Sequence, residues 1–402
     1  MQMQKVLILG GGHGTQALSL IANQKIYFGT WDDGGNTGFL RILFPHCLPF
    51  GDLRSVVVAC LKKQNKLEIA NILSVRSDNI NQLLFQYKRL TELLEDSDIE
   101  HFEDFLEKYY ESKLNHLLKY SHTSVPEDNL GNLIFLYLYK MSGMEGVTQH
   151  LKIVLDVSID IGYVFSIPVY LYGYYYDVEK KRLKILDSEA DIDQWHHPVI
   201  KFFVRDAEAN TPMLNNTFLE DIKKAQIIYL APGSPENYLP AINQEFIVSA
   251  KVNKAKVVLL SQLFVGAKDQ GLLQQINFLS TQIDNLEIWI PSIPSVRRML
   301  EETNLLMSYA VQGKYIDIFF VSEYQKILQI YLNRWKVQSH QNALYMLLYK
   351  VYSKRTKQIL NNPTFQVRPC IEVVQEADGW KHSPESILKA HTHLQNSVVA
   401  RN

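Results

Sequence analysis

Cysteine is scarce in this chain: Cys47, Cys60 and Cys370 are the only three among 402 residues. An odd, widely spaced set builds neither a disulfide framework nor a four-ligand zinc site, and it fits a reducing compartment, so a cytoplasmic location is expected. A dominant charge is also missing. With 41 Lys and Arg against 42 Asp and Glu, no overall field gathers nucleic acid or an acidic membrane surface, and no nucleic-acid partner is expected. Long apolar runs are absent. The run Val6 to Leu9 is cut by Gly10, too soon for a secretory signal, and Leu133 to Tyr139 ends at Lys140, so no membrane span is expected. There is no Gly-x-Ser-x-Gly elbow and no Cys–His nucleophile arrangement, which argues against the common hydrolase chemistries. His196-His197 sits beside Trp195 and Pro198 in turn-like sequence, and His391-Thr392-His393 lies in a tail that reads as loosely ordered from about residue 385. Neither pair is expected to bind metal.

The opening stretch is where the information concentrates. Val6-Leu7-Ile8-Leu9 reads as a buried strand that enters the loop Gly10-Gly11-Gly12-His13-Gly14-Thr15 and then a helix. Glycines let backbone approach a phosphate, and a helix start favours an anion. The loop lacks the Gly-Lys-Ser/Thr ending of a P-loop, which disfavours ATP hydrolysis of that kind. A second strand, Lys25 to Thr30, leads to Asp32-Asp33-Gly34-Gly35-Asn36-Thr37-Gly38, about where a dinucleotide fold places its ribose-binding acid. Phe50-Gly51-Asp52-Leu53-Arg54 follows, ahead of the apolar run Val56 to Leu61, so Asp52 and Arg54 belong at a helix start.

These stretches, with Arg41, Leu84 to Arg89, Leu130-Gly131-Asn132-Leu133 and Ala231-Pro232-Gly233-Ser234, resemble the gluconeogenesis-factor (YvcK-like) family, related to the CofD type of 2-phospho-L-lactate transferases. The motifs run in the family's order over about residues 5 to 325. The resemblance implies a Rossmann-like, doubly wound α/β fold with a mostly parallel sheet. It also implies a small-molecule ligand, a nucleotide-sugar or related nucleotide diphosphate, held by a metabolic or cell-envelope regulator. The alternative within the relationship is a CofD-type transferase that moves a phospho-group to an acceptor hydroxyl with Mg²⁺; an NAD-dependent oxidoreductase is weaker. The implied binding residues are Gly10, Gly11, Gly12, His13, Gly14, Thr15, Asp32, Asp33, Gly34, Asn36, Thr37, Arg41, Gly51, Asp52, Arg54, Asn132, Pro232, Gly233 and Ser234. Asp32 and Asp33 are conditional Mg²⁺ ligands, and Asp52 is catalytic only in a transferase.

Plain structural roles compete at each position. Two aspartates before Gly-Gly are a turn signature, Asp52 and Asn132 can be helix caps, and Arg41 can form an ion pair with Asp52. The chain also departs from the family: Glu127-Asp128-Asn129 stands where Gly-His-Ser is usual, and Ser261, Phe264 and Lys268-Asp269 replace polar residues beyond the strand ending at Leu260.

The remaining organisation follows composition. Residues from about 62 to 127 read as a charged helical insert and candidate lid, with 102, 105, 106, 109 and 110 on one face. Lys152 to Val157 and Tyr163 to Tyr172 read as strands, with a turn at Asp177 to Lys181. Ala225 to Leu230 and Lys256 to Leu260 read as buried parallel strands. Residues 1–325 are taken as the nucleotide-binding domain and 326–402 as a mainly helical C-terminal extension. Its face of Leu344, Leu347, Leu348 and Val351 is expected to pack on the chain's own core, away from the glycine loop, or on a twin subunit in a homo-oligomer.

Overall fold

The computed structural model describes residues 6–18, 20–21, 24–94, 101–120, 126–157, 159–177, 180–188, 191–192, 199–265, 272–302, 315–316, parts of 345–360, 366–376 and 379–399. Seven strands build the central sheet: β1 (Val6–Leu9), β2 (Gln24–Phe28), β3 (Asp160–Tyr163), β4 (Ile227–Leu230), β5 (Lys256–Leu260), β6 (Leu286–Pro291) and β7 (Gln366–Ile371). Their spatial order is β7-β6-β5-β4-β1-β2-β3, and every neighbouring pair is parallel.

Both faces of a parallel sheet must be covered, and the near-continuous apolar runs of β1 and β4 follow from that. Successive side chains point to opposite faces. Leu7, Leu9, Ile228, Leu230, Val257 and Leu259 enter one core, which also takes up helices 216–224, 244–252 and 272–280. Val6, Ile8, Ile227, Tyr229, Val258 and Leu260 enter the other. That second core is closed by α3 (Gly51–Lys63) and by the insert helices α4 (Leu67–Leu73), α5 (Ile80–Leu94) and α6 (Phe102–Lys119). The long helix α7 (Leu130–Gln149) completes it. Within α6, Phe102, Leu106 and Tyr109 are fully buried, on the face that the spacing indicated.

The chain runs from β1 outward to β2 and β3, then returns to place β4 on the other side of β1 and continues to β7. The direction of winding therefore switches between β1 and β4. In open α/β sheets a ligand crevice forms at such a point, at the carboxyl ends of the strands.

Several expectations are corrected. Lys152 to Val157 is not a strand: helical backbone continues from α7 through Val154, and β3 starts at Asp160. Leu151 and Leu155, four residues apart, are both buried, so helical packing outweighs the β-branched composition. Residues 164–169 are a loop ahead of the strand Tyr170–Asp177, the middle of a three-stranded antiparallel sheet with Arg182–Leu186 and Lys201–Arg205. Past residue 325 the chain is more than helical. It supplies β7 and a hairpin, Val373–Glu376 with Gly379–His382, before the helix Pro384–Val399. That last helix is well seated, with Ile387 and Leu394 buried in the second core, so residues 385–399 are not the loose segment expected from sequence. Leu348 is fully buried in the first core; Leu344, Leu347 and Val351 lie outside the described side chains, as do His196, His197, Lys268 and Asp269. Among the described residues no helix is long and apolar enough to cross a membrane.

Candidate functional site

The glycine loop leaves β1 and turns into α1 (Gly12–Gln16), a helix of five residues. It is pinned on both sides: the Gly10 amide donates to Tyr27 O at 3.3 Å, and Ala231 N donates to Leu9 O at 2.9 Å. The second contact ties the loop after β1 to the loop after β4. Gly14 shows how close these loops come, since a Cβ there would sit 1.7 Å from Pro232 O, an overlap with backbone that no side chain can take. Thr15 is fully buried, its amide bonded to Gly11 O at 3.1 Å. The side chain of His13 lies outside the described set. Pro232, Gly233 and Ser234 form the facing wall, held by the Gln262 amide donating to Gly233 O and by Asn237 N donating to Ser234 O.

Two longer helices begin at the same place. The first is α2 (Gly35–Leu43), and neither it nor α3 has a side-chain cap on its first amides. Gly35 takes φ +49°, the left-handed region that the turn from Asp33 into α2 requires. Asp32 stabilises this turn by accepting from the Gly34 amide at 3.0 Å, and its other carboxylate oxygen reaches the start of α3, 3.1 Å from a Cβ placed on Gly51. A Cβ on Gly51 would also lie 2.7 Å from Thr37 Oγ1, so the two helix starts are in contact. Asp52 faces the glycine loop: its Oδ2 and the Asn237 side chain are both 3.0 Å from a Cβ placed on Gly11. Asp33 is half-buried between these elements.

A third helix start comes from α7. Asn129 caps it by accepting from the Asn132 amide at 3.0 Å. The Asn132 side chain donates to Asn36 Oδ1 at 3.1 Å, and Asn36 donates to Asp128 Oδ1 at 3.2 Å. Asp128, fully buried, pairs with Lys113 of α6 at 2.6 Å and accepts from the Tyr109 hydroxyl. Burial and this carboxylate hold the Tyr109 phenol far above its ordinary pKa, which keeps it a donor. The expected lid is thus bolted to the site through a buried ion pair.

The two arginines have different fates. Arg41 is buried, donates to Asp32 O at 3.1 Å and Val169 O at 2.7 Å, and lies over the Tyr170 ring at 5.0 Å. It shapes the Asp32 turn from behind, in place of the ion pair with Asp52 considered from sequence. Arg54 packs its aliphatic stem on Gly131, and its Nε is a buried donor that meets no acceptor. Burial first, then Arg76, lowers its pKa from the ordinary value, while Asp32 and Asp52 act in the opposite direction. An orphaned guanidinium nitrogen and a buried Asn132 Oδ1 without a donor are the atoms an incoming polar ligand would satisfy.

The structure therefore brings together the glycine loop, Asp32, Thr37, Gly51, Asp52, Arg54, Asn36, Asn132 and the Pro232–Ser234 loop at the β1/β4 switch. Sequence reading missed Asn237, Lys113, Tyr109 and the hub Asp128. Asp128 was visible only as a departure from the family pattern. Among the described residues no three His, Cys, Asp or Glu side chains are grouped to hold a metal. A Mg²⁺ beside Asp32 and Asp33 would fit only with phosphate oxygens and water filling most of its octahedral shell.

Comparison with known proteins bears on this arrangement. The family model described as 2-phospho-L-lactate transferase CofD matches residues 6–275. Two solved structures of protein BH3568 from Bacillus halodurans are similar in fold. One aligns over 97% of this chain and 99% of that chain at 16% identity, with a TM-score of 0.59. The other, described as a member of the upf0052 family, aligns over 96% and 99%, also at 16% identity, with a TM-score of 0.60. At that identity the likeness speaks for the fold alone. No curated protein sequence matches the chain.

Proposed function

Because the chain belongs to the CofD family, whose model spans residues 6–275, we propose that it binds a nucleotide diphosphate, such as a nucleotide-sugar, in the β1/β4 crevice. The observation that carries this reading is the convergence of three helix starts, those of α2, α3 and α7, around the glycine loop and the unpaired Arg54 Nε. The uncapped first amides of α2 and α3 and the half-buried Arg54 guanidinium, with its buried Nε, favour an anion at a site of limited solvent screening. At five residues, α1 adds little dipole of its own, so close backbone approach is what its glycines provide. Where Mg²⁺ is present, Asp32 and Asp33 are the carboxylates to hold it against the phosphates and offset their charge.

On this reading the protein is a binding regulator of the YvcK-like kind. A transferase is the second reading, favoured by the position of Asp52 in the first turn of α3 against the glycine loop. There an acceptor hydroxyl would attack the distal phosphorus, Asp52 would take the hydroxyl proton, and the P–O bond to the nucleoside monophosphate would break. Thermal-shift titration with UDP-glucose and GDP, with and without Mg²⁺, tests binding; about 2.7 kcal/mol of added stability is expected at 100 times the dissociation constant. Failure of every nucleotide diphosphate to stabilise the protein would overturn the proposal. Release of nucleoside monophosphate, lost in Asp52→Asn, would replace the regulator with the transferase.

A further inference from the structure

We infer that the outer edge of β3 is a docking groove for an extended segment of a partner protein, apolar at alternate residues and basic at one end. The C-terminal extension supplies β7 at one end of the sheet and, against expectation, reaches the glycine loop, since Trp380, Lys381 and His382 line a cavity with Gly14. At the opposite end, β3 pairs with β2 alone among the described residues.

A parallel strand bonds to its neighbour through alternate residues. Val164 N donates to Phe28 O at 3.0 Å, so Asp160 and Gly162 turn their backbone groups to β2, while Ile161 and Tyr163 turn theirs outward. Among the described residues these outward N–H and C=O groups have no partner, although Ile161 and Tyr163 are only 7% and 3% exposed. Backbone groups of such covered residues are almost always paired, and an open edge is a template for one more strand.

The edge does not lie flat on the surface. A cavity of about 670 Å³ runs beside it, between a rim from α7 and a rim from the residues around Phe165 and Asn215. Tyr139 and Met144 of the first rim pack on the second core, whereas Tyr27 and Phe165 opposite belong to the first core. Both layers of the fold thus overhang the strand. Gly162 keeps the floor open on the first-core side, where a Cβ would sit 2.4 Å from Tyr27 Cε1, so the Tyr27 ring takes the place of a side chain. Strand addition draws affinity from main-chain bonds and selects through alternate side chains, and these two walls suit apolar ones. At about 3.3 Å per residue, the four residues of β3 match a short extended segment. The overhang admits a single chain and keeps out the edge of another folded sheet, so the occupant is a peptide segment rather than a second copy.

Charge narrows the choice of segment. Lys25 is the cation of this lining, and it is taken by Asp221 at 3.0 Å. Glu145 in the α7 rim and Asp160 at the head of β3 are exposed and make no ion pair among the described residues. Uncompensated carboxylates beside a groove favour a lysine or arginine on the incoming segment. The groove lies two strands from β1, so its occupancy does not depend on a nucleotide in the β1/β4 crevice.

The test is fluorescence anisotropy of the full chain with labelled hexapeptides that begin with Lys and carry Val, Leu or Phe at alternate positions, against the same set beginning with Glu. Expected is saturable binding of lysine peptides, at least tenfold tighter than their glutamate counterparts. N-methylation of one alternate set of peptide amides should abolish it, and methylation of the other set should not. Hydrogen exchange should show the Ile161 and Tyr163 amides protected only with peptide bound. Ile161→Pro removes an outward N–H without touching the β2 ladder and should cost at least tenfold in affinity; Glu145→Lys/Asp160→Lys should reverse the charge preference. Circular dichroism checks folding, and the charge-reversed variant carries the test if Ile161→Pro does not fold. No saturable binding by any peptide overturns the inference, as does binding indifferent to methylation or to charge reversal. A wild-type dimer in analytical ultracentrifugation that the charge-reversed variant breaks would put a second copy on the edge and overturn the peptide partner.

Discussion

Replacing Asp128 by Asn removes the buried charge that ties the helical insert to the site. Asp128 is fully buried, with Lys113 Nζ 2.6 Å from one oxygen and the Asn36 amide and Tyr109 hydroxyl on the other. The second partner of Lys113, Asp78 at 3.1 Å, has a carboxylate that is 61% exposed and so offers weak compensation. Removing one member of a buried pair strands the other, at a loss of about 3–5 kcal/mol. Asn keeps one acceptor oxygen, which places Asp128→Asn near the lower end, about 3 kcal/mol. Lys113→Met strands the carboxylate instead and should lose a similar amount. The double variant should be far better than the sum, because neither charge is then left alone in the core. Urea denaturation of the four proteins completes the cycle. Single-variant losses below about 1 kcal/mol, or strict additivity, would refute the claim that this pair is a desolvated bolt.

Three further outcomes follow from packing and burial. Gly14→Ala places a methyl group 1.7 Å from Pro232 O, so the loops after β1 and β4 must separate; a stability loss of about 1–3 kcal/mol and a marked drop in nucleotide-diphosphate affinity are expected by unfolding and thermal shift, and unchanged affinity would contradict the close-approach argument. Truncation after residue 365 removes β7 and the last helix and bares the partners of buried Ile371, Ile387 and Leu394, each worth about 1.5–3 kcal/mol, so the shortened chain should be insoluble or markedly less stable; a soluble product with the full-length melting temperature would show the extension to be an appendage. His391 is 3% exposed, bonded to the Tyr229 hydroxyl, and held by burial at about 4. A histidine pKa lowered on folding stabilises fully above its unfolded value near 6.5, and that contribution is lost as the pH falls toward 4, up to about 3 kcal/mol. Urea midpoints at pH 7.5 and 4.5 should differ less in His391→Phe than in wild type; equal differences would refute the assignment.

What could be read from sequence was local. The run Val6 to Leu9 cut by glycines, the helix start at Gly51-Asp52 and the small-residue loop after Leu230 each carry their own signal within a few residues, and all three appear at the crevice. The site's supports were not legible, because they join distant segments: Asp128 meets Lys113 across two elements, and Arg41 reaches Val169 O, 128 residues away. β7 escaped notice for another reason. Its Gln366-Val367-Arg368-Pro369 sequence contains a proline that only an edge strand tolerates, and its partner β6 lies far upstream. His391 looked like a tail residue because nothing adjacent to it announces Tyr229 as its partner.

The central claim is that a nucleotide diphosphate lies at the carboxyl ends of β1 and β4. A co-crystal structure of the full chain with UDP-glucose or GDP tests it most directly. The account predicts the diphosphate against Gly10–Gly14 and the starts of α2 and α3, with an oxygen on Arg54 Nε. A nucleotide seated elsewhere, for instance in the cavity of about 600 Å³ between Tyr174, Phe203 and Leu239, with the β1/β4 crevice left to solvent, would contradict it.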